Sequence, residues 1–108
     1  MANTFKLKTK ANVGVTTVGI YTAPAATTTV VIGITLANTY GSGVNVGLGI
    51  ARTSAEDVKL LKNAPIPQGS SLEFMAGNKI VLETTDTVTV DSDTNNSVDA
   101  SLTIMEIT

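Results

Sequence analysis

The stretch Asp91-Ser92-Asp93-Thr94-Asn95 sets oxygen-bearing side chains at alternate positions, the spacing with which a calcium-binding loop begins. Such a loop needs glycine at its sixth position, for the sharp turn, and a bidentate glutamate at its twelfth. Here those positions hold Asn96 and Leu102, so an EF-hand is excluded. The same residues suit a polar hairpin tip whose Asx side chains bond their own backbone, with a looser calcium site at Asp91 and Asp93 as the alternative. Gly41-Ser42-Gly43 has the glycines of a phosphate loop, but no Lys-Ser/Thr pair follows and no helix begins there, so it reads as a turn. Ser70 or Ser71 could be a nucleophile only beside a base, and the chain has no histidine.

Cysteine and tryptophan are missing as well. Histidine and cysteine supply most activated nucleophiles and transition-metal ligands, so neither catalysis nor a cofactor nor a metal is expected. Flat aromatic platforms for sugars or single-stranded nucleic acid need rings, and the chain offers Phe5, Phe74, Tyr21 and Tyr40. Both phenylalanines fall in apolar rows and are assigned to the core, which leaves Tyr40, on a turn, as the ring expected at the surface. A net charge of −2 gives no electrostatic reason for nucleic-acid binding. No apolar run approaches membrane-spanning length, because Gly33 and Thr35 interrupt even Val30 to Ala37. The opening Met-Ala-Asn-Thr-Phe-Lys-Leu-Lys alternates charge with apolar residues and lacks the apolar core of a signal peptide, so synthesis in the cytoplasm is expected.

What would position any site is a set of strands. The 108 residues suit one domain, rich in β-branched residues and cut by Gly, Pro, Asn and Ser. Phe5, Leu7 and Thr9 alternate with Lys6, Lys8 and Lys10. Val30, Ile32, Ile34 and Leu36 alternate with Val31, Gly33, Thr35 and Ala37, and Val44, Val46, Leu48 and Ile50 with Asn45, Gly47, Gly49 and Ala51. The turn at 38–43 between the last two runs predicts one long hairpin. Further strands are expected at 58–61, 71–74, 79–83, 87–90 and 98–107, while the segment 21–29, apolar but proline-bearing, reads as an ordered crossover between sheets. Ser54-Ala55-Glu56-Asp57 resembles a single helical turn with Ser54 as its cap. The expected fold is all-β, an antiparallel, jelly-roll-like β-sandwich of about eight strands, with residues 1–10 as a docking arm or edge strand.

Three features suggest contact with other chains. Lys6, Lys8 and Lys10 share one side of the first strand. Gly47 and Gly49 leave a side-chain-poor face, against which either the same domain or another subunit could pack. Residues 1–62 carry Lys6, Lys8, Lys10, Arg52, Lys59 and Lys62 against Glu56 and Asp57, a balance of +4, and the remainder balances at −6. A dipolar surface follows if the two halves occupy different ends of the fold. The candidate interface is therefore Lys6, Lys8, Lys10, Tyr40, Gly47 and Gly49.

The segments 21–38 (YTAPAATTTVVIGITLAN) and 62–73 (KNAPIPQGSSLE), with the ending from Leu82-Glu83 through Ser97-Val98-Asp99-Ala100 to Thr108, resemble small virion structural proteins of tailed bacteriophages, of the cyanophage and marine-phage type. The resemblance implies a β-sandwich particle component with no enzymatic role, no cofactor and no nucleic-acid or membrane partner. Its implied partners are the major capsid protein or other virion proteins, with copies of the chain as neighbours on the particle. A capsid decoration (cement) protein is the expected role, a neck or tail component its nearest variant, and a carbohydrate-binding or host-adhesion module the alternative of another class.

Overall fold

The computed structural model describes residues 3–53, 55–74 and 79–108. Among them nine strands form: β1 (Asn3–Val13), β2 (Val18–Thr22), β3 (Thr28–Asn38), β4 (Val44–Ala51), β5 (Val58–Ile66), β6 (Ser71–Glu73), β7 (Ile80–Leu82), β8 (Thr87–Ser92) and β9 (Val98–Ile107). They build two antiparallel sheets, one ordered β1-β9-β3 with β6 and β7 both paired to the far side of β3, the other ordered β2-β8-β4-β5. Except within the β4–β5 and β6–β7 pairs, each connection crosses from one sheet to the other. That path is a jelly roll, with one of its eight strands broken into the short pieces β6 and β7. The strand not expected from the sequence is β2.

The expected hairpin of β3 and β4 does not form. β3 pairs with β9, β6 and β7, whereas β4 pairs with β5 and β8, so the turn at 38–43 carries the chain across the sandwich. The buried side chain of Asn38 holds that crossing. Its Nδ2 donates to the carbonyls of Ser42 and Ile66, each at 2.9 Å, and its Oδ1 accepts from the Tyr40 N–H at 2.8 Å. The bond to Ile66 ties the end of β3 to a strand of the opposite sheet. Turn chemistry alone cannot distinguish such a crossing from a hairpin, because the deciding partner lies 28 residues away.

β9 is the clearest strand: Val98, Ala100, Leu102, Ile104 and Glu106 point inward and their neighbours outward without interruption. β3 changes phase. Thr29 and Val31 are buried at its start and Ile34, Leu36 and Asn38 at its end, because a register shift against β9 falls between Val31 and Gly33. An extra residue in one strand turns every later side chain to the other side. Between the sheets these rows meet Val44, Val46, Leu48 and Ile50 of β4, Val88 and Val90 of β8, and Tyr21, Ile66 and Leu82, in one continuous core. Phe74 packs against it as expected, but Phe5 does not. The helical turn read at 54–57 does not form over Ala55, Glu56 and Asp57, which run as an irregular connection, while its cap Ser54 lies outside the described residues.

Candidate interaction surface

Pairing to β9 decides the direction of every side chain in β1. Lys6, Lys8 and Lys10 stand opposite Ile104, Leu102 and Ala100, all buried, so the lysine row faces the opposing sheet rather than away from the molecule. Phe5 and Leu7 stand opposite Met105 and Thr103 and face outward. The register therefore turns the lysines expected at an interface toward the opposing sheet, and Phe5, assigned by the sequence to the core, toward solvent. The arrangement is tolerable because β1 is an edge strand, where long lysine stems can run to water past the rim of the sandwich. Inward charges on an edge also oppose pairing with another strand.

Lys6 and Lys8 are committed locally. Lys6 Nζ lies 2.8 Å from Glu106 Oε1, and Lys8 Nζ sits 6.0 Å from the centroid of the Tyr21 ring. The buried Glu106 accepts a second bond from Tyr21, whose hydroxyl is 2.5 Å from Oε2 and 2.8 Å from Thr29 Oγ1. The bond from Lys6, then that from Tyr21, hold the Glu106 carboxyl below its ordinary range against the opposing effect of burial. Burial first, then the bond to Glu106, push the Tyr21 phenol up to about 12. Lys10 remains exposed.

The two halves of the chain do not occupy different ends of the fold, because their strands alternate within both sheets. Lys6 meets Glu106, and Arg52 meets both Glu83 (2.5 Å) and Asp86 (3.1 Å), so each of these pairs joins a cation of the first half to an acid of the second. Asp86 also accepts the Glu83 N–H at 3.0 Å, and its hydrogen bond, followed by its charge, raises the Arg52 pKa further.

Gly47 and Gly49 are buried within the domain itself. A Cβ on Gly49 would stand 2.8 Å from the Val58 carbonyl oxygen, and one on Gly47 would collide with the Asp91 carboxylate. The close approach comes from β5 and β8, so these glycines are not available to a neighbouring subunit. Asp91 in turn accepts from Thr17 Oγ1 at 2.9 Å, while Asp93 Oδ1 accepts from the Asn45 N–H and from Thr94 Oγ1, both at 3.1 Å. These Asp91 and Asp93 bonds reach Thr17, Asn45 and a neighbouring side chain, and β8 and β9 lie in opposite sheets, so the expected hairpin tip is instead a turn that crosses the sandwich. Among the described residues no three of His, Cys, Asp and Glu gather closely enough to hold a metal. Tyr40 is exposed as expected, but it sits beyond the end of β3, about 30 Å from Phe5 at strand spacing. The six expected interface residues therefore do not form one site.

A different surface is continuous. On the outer side of the five-stranded sheet, register places Phe5, Met105, Val30 and Val81 in one row across β1, β9, β3 and β7. Phe5 is 70% exposed and Val81 59%, and Leu7, in the next row, is 66% exposed. That next row runs Leu7, Thr103, Gly33, and the one beyond it Thr9, Ser101, Thr35, Glu73. A shallow hollow of roughly 270 Å³ opens there, with Thr9, Ala11, Thr35, Ala37 and Ser101 among its lining. Large exposed side chains gathered in one patch mark interaction sites more often than solvated surface. The sequence hid this row because its four members come from four segments that only strand register aligns.

No protein-family model matches this chain, and no curated protein sequence does. Among solved structures it resembles a protein of Bacillus endospore appendages, described as a novel family of disulfide-linked pili, with a TM-score of 0.59 and 15% identity. The likeness covers 99% of this chain and 87% of that one. It establishes the fold. The disulfide linkage belongs to that protein, since the present chain has no cysteine. No helix among the described residues is long and apolar enough to cross a membrane.

Proposed function

We propose that this chain is a non-enzymatic virion structural protein of a tailed bacteriophage, acting as a decoration (cement) protein on the outer surface of the capsid lattice. The observation that carries the assembly role is the outer face of the five-stranded sheet, where Phe5, Met105, Val30, Val81 and Leu7 form an apolar patch, while the other large exposed apolar side chains, Val15, Tyr40 and Val58, lie apart from it. Burying side chains of this size stabilises a contact by about 1.5–3 kcal/mol each. The phage setting rests on the resemblance of segments 21–38, 62–73 and 82–108. A neck or tail position would use the same surface. The adhesion alternative has little to stand on, because Tyr21 is buried, Phe74 packs against the core, and Phe5 and Tyr40 lie at opposite ends of β3.

Mass spectrometry of purified particles, followed by a low-resolution map with the chain labelled, tests the proposal. Density in many symmetry-equivalent copies on the shell supports decoration, density at one vertex supports the neck or tail, and absence of the chain from the particle overturns both. The structural neighbour favours a second reading, a subunit that polymerises with itself. Electron microscopy of the concentrated pure chain separates the two, since a filament subunit forms filaments without a capsid.

A further inference from the structure

The outer face of the five-stranded sheet is raised at one end and hollow at the other. We propose that a second copy of this chain covers it, forming a symmetric dimer whose two-fold axis runs along the Leu7–Thr103–Gly33 row; this rests on the face being an assembly surface. An axis along that row lays each strand over its own counterpart, reversed in direction. The Phe5 row of each copy then falls on the Thr9 row of the other, two residues or about 7 Å to the far side of the axis. Phe5, the bulkiest outward side chain, meets the 270 Å³ hollow. On the axis, nothing lies within 4 Å of where a Cβ of Gly33 would stand, so the two backbones can approach there. One surface that is both knob and socket is what an isologous contact requires.

Charge and area agree with this occupant. Glu73 pairs with Thr35 on one side of the axis row, and Lys79 directly precedes Ile80, the partner of Val31, which sets it level with the axis row on the same margin. Both are exposed, and the two-fold places the two Lys79 side chains near the axis with a Glu73 on either side, each two residues or about 7 Å along the strands. Three strands about 4.8 Å apart and some nine residues long, with the six residues of β6 and β7 beside them, give a face of about 500 Å² per copy, or about 1,000 Å² for the pair, the size of a weak, reversible association. The competing contact, edge to edge between two β1 strands, would oppose the rows of Lys6, Lys8 and Lys10 and is disfavoured by like charge.

Sedimentation equilibrium of the full chain across a concentration series should show a weak, reversible dimer. Phe5→Asp combined with Leu7→Asp should weaken it about tenfold or more while leaving the thermal melt unchanged. Because the natural chain has no cysteine, Thr103→Cys supplies one thiol at the axis. A short bis-maleimide should join two copies through it and should not join copies of Lys62→Cys, on the other sheet. A chain that stays monomeric to millimolar concentration, or one that dimerises but crosslinks through Lys62→Cys and not Thr103→Cys, would overturn the dimer. If the native chain is monomeric while the Phe5→Asp, Leu7→Asp variant fails to join particles, the dimer is wrong and the assembly reading stands.

Discussion

The outer faces of the two sheets are built from similar strands, yet one is finished and the other is open. On the four-stranded sheet the bare positions Gly47 and Gly49 are filled by Asp91 and by the backbone of β5. There Thr22 and Thr87 bond one another at 2.8 Å, and Thr17, just before β2, bonds Asp91. On the five-stranded sheet, Gly33 has nothing above it and Phe5, Leu7 and Val81 stand in solvent. A glycine in a strand thus means opposite things on the two faces: space already taken by the same chain, or space left for another. Only the environment above the Cα distinguishes them.

Removing residues 2–10 should have the largest effect. The segment is not a free arm, since Asn3 to Lys10 pair continuously with β9, and its loss would bare the edge of the strand that carries Leu102 and Ile104. The truncated protein is expected to aggregate or lack a cooperative melt, and a monodisperse product with a native melt would show that this edge contributes nothing. Next come the glycines. Gly49→Val drives a methyl into a carbonyl and should cost about 2–3 kcal/mol in denaturant unfolding. Gly47→Val should cost less, because the Asp91 side chain can swing aside, and Gly33→Val should leave stability unchanged or slightly higher. Equal losses at all three positions would erase the contrast between the faces.

The Tyr21–Glu106 pair predicts a pH response on both flanks. A phenol raised from 10.0 to about 12 keeps its proton longer in the folded state, so its contribution is intact below pH 10 and is lost as pH rises toward 12. The lowered Glu106 pKa acts oppositely: its contribution is present above the ordinary carboxylate range and is lost as pH falls through the folded value. Tyr21→Phe should cost about 1 kcal/mol at neutral pH and flatten the alkaline decline, which chemical denaturation at several pH values would measure. An alkaline decline unchanged in this variant would assign it to other groups. The smallest effect is expected from Phe5→Asp with Leu7→Asp, within about 0.5 kcal/mol of the native chain by thermal melt, because neither side chain is buried in the monomer. A larger loss would mean that the patch supports its own fold rather than a partner.

Much of the architecture was legible in the chain. The alternation of β9 and the crossover read at 21–29, whose ends the structure gives to β2 and β3, state their roles locally, because strand period and turn chemistry depend on neighbours in sequence. The phase of β3 was not legible. A bulge moves Ile34 and Leu36, rather than Val30 and Ile32, into the core, and nothing at Ile32 announces it. The same limit explains the failed hairpin, where the partner of Asn38 is on a strand not yet reached.

For the interaction surface, the sequence by itself determined the inventory: no histidine or cysteine for chemistry, few rings, and a first strand with lysines on one side and apolar residues on the other. Which side faced inward was left to the tertiary structure. The reason is energetic. β9 must bury Ala100, Leu102 and Ile104, and once β1 pairs with it in register the lysines are carried inward, where edge geometry and Glu106 accommodate them, while Phe5 is turned out beside Met105, Val30 and Val81. Burial of one strand thereby exposed its neighbour and created a surface that no local segment encodes.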